Sequence, residues 1–223
     1  MARRSVADTA RTHAAILERS VDVASIEGLE GLTIGRLAAD LQMSKAGLLG
    51  HFGTKEELQL AALAAAVQVY RREIWEPAQS AAPGRARLLA IADAWLDYLA
   101  RDVFPGGCFV TAASAEFDDR PGRVRDAVAS AHRRWMAVLA DEARTAIRAG
   151  ELPRTTDPED VAFGLNAIAM GVNQARRLLG DAAAPDRGWR AMRTLLGSPR
   201  ARRRRTAATT GRAPAGRRAL SDA

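Results

Sequence analysis

The sequence predicts an all-α fold: an N-terminal unit of three helices in helix-turn-helix order, followed by a larger helical domain. Three observations predict it. Much of the apolar content is Ala and Leu, both strong helix formers, while aromatics are only 5% of the chain. Apolar residues recur at helical spacing in each patterned stretch up to Leu196, and no alternating strand pattern of comparable strength accompanies them. Within residues 32–58, two short amphipathic stretches flank a break of a few residues, with a longer helical stretch before and after.

Residues 1–8 carry Arg3 and Arg4 without periodicity and read as a short flexible arm. Over residues 9–27 the apolar positions Ile16, Leu17, Val21, Ala24 and Ile26 follow helix spacing, until Gly28 and Gly31 break it. Thr33 then caps a short helix whose inner face is Ile34, Leu37, Ala38 and Leu41. Gln42 and Met43 interrupt, and Ser44 is a good N-cap for a second short helix over residues 45–51. Gly53 ends that helix. Thr54 with Glu57 three residues on forms a capping box, opening a helix expected to run to about Trp75. Ala38, Met43, Leu48 and Phe52 fall where they can close a small core. That core would hold the second short helix proud of the surface, its N-terminal half free to enter a major groove about 12 Å wide.

Pro77 and Pro83-Gly84 punctuate the chain next. Helices are then expected over 86–101, 108–117, 123–149, 158–179 and 185–196. They are separated by Phe104-Pro105-Gly106-Gly107, by Asp118-Asp119 with Pro121-Gly122, and by Gly150 and Gly180. The predicted organisation is residues 1–57 as the helix-turn-helix unit, 58–197 as the larger helical domain, and 198–223 as a disordered Arg-rich tail.

Charge alone does not identify a partner. The net charge of +7 resides in residues 198–223, which hold eight Arg and one acid, so residues 1–197 sum to zero. A single cysteine, Cys108, excludes an internal disulfide or a cysteine-built zinc site and fits a reduced, cytoplasmic protein. The basic start lacks the apolar run of a signal peptide, and no stretch of about 18 apolar residues predicts a membrane span. No nucleophile elbow, phosphate loop, dinucleotide fingerprint or metal-ligand spacing is present, and His13, His51 and His132 are scattered. The expectation is therefore no enzyme, no cofactor and no metal.

Residues 9–63 resemble the TetR family of bacterial regulators. The resemblance is carried by Ile16-Leu17, Gly28, Gly31, Thr33, Ile34, Leu37, Ala38, Ser44, Lys45, Gly47, Leu48, His51, Phe52, Lys55, Glu56, Leu58 and Ala61. The segment PGGCFVTAASAEFDDRPG, residues 105–122, also resembles a stretch in the ligand domains of one TetR-like group. The resemblance implies an all-helical homodimer, with the last two long helices forming a four-helix interface and the larger domain binding a small-molecule effector. Two positions depart from the family pattern. Gln42 stands where the turn often has Gly, and Leu49 stands where an aromatic often contacts phosphate.

On that reading Thr33, Ser44, Lys45, Ala46, Gly47, Leu49, His51 and Lys55 are the candidate contacts to double-stranded DNA. Lys45 reaches a base edge or phosphate, Thr33 donates at a helix N-terminus, and Lys55 pairs with phosphate. The competing reading is an ordinary helical hairpin with a solvated lysine, and His51 equally suits a packed or capping role. Trp95, Phe109, Trp135, Phe163, Asn166, Met170 and Asn173 are the candidate effector-binding residues, against plain core packing for any one of them. Gly164, Ala167, Ile168 and Gly171 suit close packing across a dimer or within the chain. Glu116, Asp118 and Asp119 read as an exposed acidic turn. The expected function is a ligand-responsive transcriptional regulator, a repressor reading a pseudo-palindromic operator. The alternatives are a helical enzyme or ligand carrier, or a tail-driven nonspecific DNA binder.

Overall fold

The computed structural model describes residues 6–197. The Arg-rich tail and the first five residues of the expected arm lie outside the described residues. Those described are helices and connecting turns, with no strand among them.

Helix α1 (Val6–Gly31) begins three residues before the periodicity does, taking in the end of the expected arm. Asp8 in its first turn favours the positive end of the helix dipole and pairs with Arg11. The predicted break at Gly28 is present as a kink, with φ 80° and ψ 166°, after which one more turn runs to Gly31. Helix α2 (Ile34–Asp40) is capped by Thr33, whose hydroxyl accepts from the Arg36 N–H at 3.2 Å. Gln42 adopts φ 53°, so the turn does use the left-handed region without the usual glycine, at a modest cost. Helix α3 (Lys45–Phe52) is capped by Ser44, which accepts from the Gly47 N–H at 3.0 Å.

Helix α4 (Lys55–Tyr70) is capped by Thr54, which accepts from the Glu57 N–H at 3.1 Å. The reciprocal half of the expected capping box is not made. Glu57 instead accepts from Arg123 at 2.8 Å, because a cation from a distant helix reaches it. Nor does α4 continue unbroken to Trp75. Residues Arg71–Trp75 form a π-helical turn that passes into a short helix α5 (Glu76–Ala78).

The remaining helices are α6 (Arg85–Ala100), α7 (Phe109–Phe117), α8 (Arg123–Arg148), α9 (Pro158–Leu179) and α10 (Ala184–Leu195). Asp157 caps α9 through the N–H groups of Glu159 and Asp160, at 2.8 and 3.4 Å. Ile16, Leu29, Leu32, Leu37, Leu48 and Leu58 are wholly buried and fix α1 to α4 around a small core, with Ala38 and Phe52 also buried and Met43 packed at its edge. A second set (Ile74, Leu88, Ile91, Leu139 and Leu165) joins the π turn, α6, α8 and α9. A buried ion pair secures the larger body. Arg87 Nη1 donates to Glu142 Oε1 at 3.0 Å, the Gly84 N–H donates to Glu142 Oε2 at 2.7 Å, and Arg87 Nη2 also donates to the Ala81 carbonyl at 3.0 Å. Among the described residues, no helix is long and apolar enough to cross a membrane.

Candidate DNA interface and effector cavity

The pattern of α3 divides its side chains cleanly. Leu48 and Phe52 point into the small core, whereas Ser44, Lys45, Ala46, Gly47 and Leu49 are exposed. The Lys45 chain runs over α2, where even a Cβ on Gly35 would come within 3.4 Å of its Cε. This sets the ammonium stem beside the first turn of α2, whose cap, Thr33, is also exposed. Lys45 makes no ion pair among the described residues, so its charge is available to an anion.

Two candidates are placed differently. His51 is half-buried, its ring 6.1 Å from His13 and 6.3 Å from Phe52, while His13 stacks on Phe52 at 4.6 Å. It belongs to an aromatic cluster that props α3 on α1. Lys55 is engaged within the protein, its ammonium donating to the Glu30 carbonyl at 2.8 Å and to the Glu30 carboxylate at 3.0 Å. Hydrogen bonds from Lys55 and then Gln59 hold the Glu30 carboxyl below its usual range.

Three joints link the N-terminal helices to the rest. The Glu116 carboxylate, on α7, accepts from the Leu29 and Glu30 N–H groups at 2.7 and 2.9 Å. The kink at Gly28 frees those donors, and a Cβ there would lie 2.6 Å from Glu116 Oε1, so glycine serves both the positive φ and the close approach. Glu116 is therefore a linchpin between α1 and α7, where the sequence suggested an exposed turn. The Gly106 N–H donates to Ser25 Oγ at 3.0 Å. Arg123, at the start of α8, pairs with Glu56 and Glu57 at 2.9 and 2.8 Å.

Behind α7 lies a cavity of about 540 Å³. Val67, Tyr70, Arg71 and Trp75 line it from α4 and the π turn, Trp95 from α6, and Cys108, Val110, Thr111 and Ser114 from the start of α7. Helix α8 adds Ala131, His132, Arg134, Trp135 and Val138, and α9 adds Asn166 and Met170. Tyr70, Trp95 and Trp135 meet edge-to-face with centroids 5.0–5.8 Å apart. Burial pushes the Tyr70 and Tyr98 hydroxyls well above their ordinary pKa, so both stay neutral.

Of the candidate effector residues, Trp95, Trp135, Asn166 and Met170 line this cavity. The other three do not. Phe109 turns into the core against Phe104, because the first turn of α7 buries that side. Phe163 is 68% exposed on the outer side of α9. Asn173 accepts from the Cys108 N–H at 2.9 Å and so braces the cavity wall from behind. The sequence reading missed the polar wall of α8, although His132 and Trp135 stand three residues apart, the spacing of one helix face. No cluster of three or more metal-ligating side chains occurs among the described residues.

Comparison with known proteins agrees with this arrangement. Residues 16–62 match the family model described as "Bacterial regulatory proteins, tetR family", and residues 84–192 match "Tetracyclin repressor-like, C-terminal domain". A TetR transcriptional regulator from Chloroflexus aurantiacus superposes with a TM-score of 0.78 at 22% identity, over 86% of this chain and 95% of that one. A TetR-family regulator from Cytophaga hutchinsonii gives 0.76 at 23% identity, over 86% and 96%. AibR, solved with isovaleryl coenzyme A and operator DNA, gives 0.61 at 23% identity, over 73% and 85%. No curated protein matches the chain.

Proposed function

The chain belongs to the TetR family of bacterial regulators, and from that premise we propose that it is a ligand-responsive repressor, a homodimer reading a pseudo-palindromic operator through α3. Residues 1–57 are the reading head, and 58–197 hold the effector and the dimer contact. One observation carries this reading: the short helix α7 touches both the cavity and α1 of the reading head, beside α4, which follows α3 directly and lines the cavity through Val67 and Tyr70. The first turns of α7 wall the cavity through Val110, Thr111 and Ser114, and its last turn grips α1 through Glu116. An effector that displaces α7 therefore tilts the head. A coupling of about 1–3 kcal/mol would change operator affinity from several-fold to about a hundredfold. AibR, holding both an acyl coenzyme A and operator DNA, supports the pairing of the two sites on this fold.

Selection from a random duplex library with the full-length chain is the direct test, and it is expected to enrich inverted half-sites. Lys45→Ala is expected to weaken binding to the selected duplex and, if its contact is to phosphate, to lower the salt slope by about one per subunit. No enrichment ends the proposal; unchanged affinity and slope remove Lys45 from the interface.

Dimerisation is supported by α9. Phe163 and Leu178 are strongly exposed fifteen residues apart, about 60° round the helix axis, which leaves two large apolar side chains on the outer side of α9. Gly164 does not belong to it, since a Cβ there would strike Leu195 of α10 at 2.7 Å; it packs within the chain. The double variant Phe163→Glu with Leu178→Glu is expected to be monomeric by light scattering and to lose tight operator binding. A dimer of unchanged mass would move the interface elsewhere.

A further inference from the structure

The cavity's chemistry narrows its ligand. One wall is aromatic, with Tyr70, Trp95 and Trp135 packed edge to face. Such a wall favours a planar ring, which can extend the same offset and edge-on contacts. The two indoles, Trp95 and Trp135, carry buried N–H groups without a hydrogen-bond partner among the described residues. Trp95 is only 4% exposed, so its donor cannot be satisfied by open solvent. A volume of about 540 Å³ lies inside the range of roughly 300–1,000 Å³ usual for drug-sized ligands.

The charge of the lining is one-sided. Two arginines, Arg71 and Arg134, line the cavity together with His132, and among the described residues no carboxylate does. Arg71 is already compensated by Glu76 at 3.4 Å. Arg134 is not; it donates to the Ser130 hydroxyl at 2.7 Å and makes no ion pair among the described residues. Its guanidinium is thus a charged fork with donors to spare on a cavity that also has an aromatic wall, a group suited to bidentate recognition of a carboxylate.

We propose that the effector is an aromatic carboxylic acid, its ring held against the cluster of Tyr70, Trp95 and Trp135 and its carboxylate paired with Arg134. This rests on the regulatory reading above and specifies its ligand. The selectivity comes from matching one unpaired cation to one anion, with the ring supplying affinity common to neutral analogues.

Calorimetric titration of the full chain with three probes of one shape tests it: 2-naphthoate, 2-naphthylmethanol and 2-naphthylmethylammonium. The acid is expected to bind at least tenfold more tightly than the alcohol, and the ammonium most weakly. Arg134→Gln is expected to erase most of the acid's advantage and leave the alcohol unchanged, while Arg134→Lys restores part of it. Arg134 is exposed on α8, so neither change threatens the fold. Equal affinity for acid and alcohol, preference for the ammonium, no binding of any probe at millimolar concentration, or an Arg134→Gln protein that keeps the full preference would each overturn the proposal. The duplex selection fails or succeeds separately. Operator binding without acid preference sinks only the ligand assignment, and acid preference without operator binding supports the assignment and sinks only the regulatory reading.

Discussion

Glu142→Ala is expected to destabilise the protein by about 3–5 kcal/mol, the usual result of removing one member of a buried charge pair. The carboxylate receives Arg87 at 3.0 Å and the Gly84 N–H at 2.7 Å, and both side chains of the pair are largely buried, at 17% and 11% exposure. Truncation leaves a guanidinium without its counter-ion and a backbone donor without an acceptor, in a place where water has little access. Most of the loss is thus the cost of what remains, since the pair itself must also be desolvated. At this chain length the melting temperature should fall by roughly 2–4 °C for each kcal/mol. The control is Arg87→Met with Glu142→Met, which removes both charges while keeping bulk and should cost much less. Chemical denaturation of the three proteins decides it. A single variant within about 1 kcal/mol of the parent, against the range expected for a buried pair, would mean that the site is wetter than its burial implies.

Gly106→Ala is the second large effect. A Cβ at this position would lie 1.7 Å from the Ser25 carbonyl oxygen and 2.1 Å from its carbon. Both are backbone atoms of α1, so no side-chain rotation relieves the overlap, and the loop has to lift away. The expected loss is about 1–3 kcal/mol or somewhat more, as for overpacking elsewhere. The functional loss should be larger than that figure suggests. The same loop carries Cys108 in the cavity wall, and its Gly106 N–H holds Ser25. Operator binding by Gly106→Ala should therefore respond weakly to effector, even at temperatures where the variant is fully folded. Gly50→Ala is the contrasting substitution: nothing lies within 4 Å of its Cβ position, and helix propensity should add up to about 1 kcal/mol of stability. Melting curves, together with operator titrations with and without effector, separate the two outcomes. A Gly106→Ala protein with parental stability and response would show that the close approach is immaterial.

Most helix boundaries were legible in the sequence to within a residue or two, because caps and apolar spacing are local. Thr33, Ser44 and Thr54 each accept the expected N–H three residues on, and α9 begins at Pro158 behind the Asp157 cap. What escaped the sequence was set by partners far along the chain. Glu57 turns to Arg123 instead of back to its own cap, Lys55 is held by Glu30, and Glu116 reaches donors 86 and 87 positions away. The candidate site followed the same division. Exposure of the first residues of α3 follows from their phase against Leu48 and Phe52. The cavity is assembled from five separate stretches, so its aromatic members could be nominated by type, whereas Phe109, Phe163 and Asn173 fell on the wrong sides of their helices.

The π turn at Arg71–Trp75 has a consequence for how the cavity wall tolerates a change in chain length. Tyr70 and Trp75 are five residues apart, and both face the ligand space. In an α-helix, at 3.6 residues per turn, side chains five apart diverge by about 140°. The wider repeat, with its i to i+5 bonding, stacks them instead. Deleting one residue between them would let the segment relax to an ordinary helix in which the two stand four apart, about 40° round the axis, so both would keep the same face. The turn thus absorbs one extra residue locally, and a chain shorter by that residue would still present the same two aromatic rings to the ligand space.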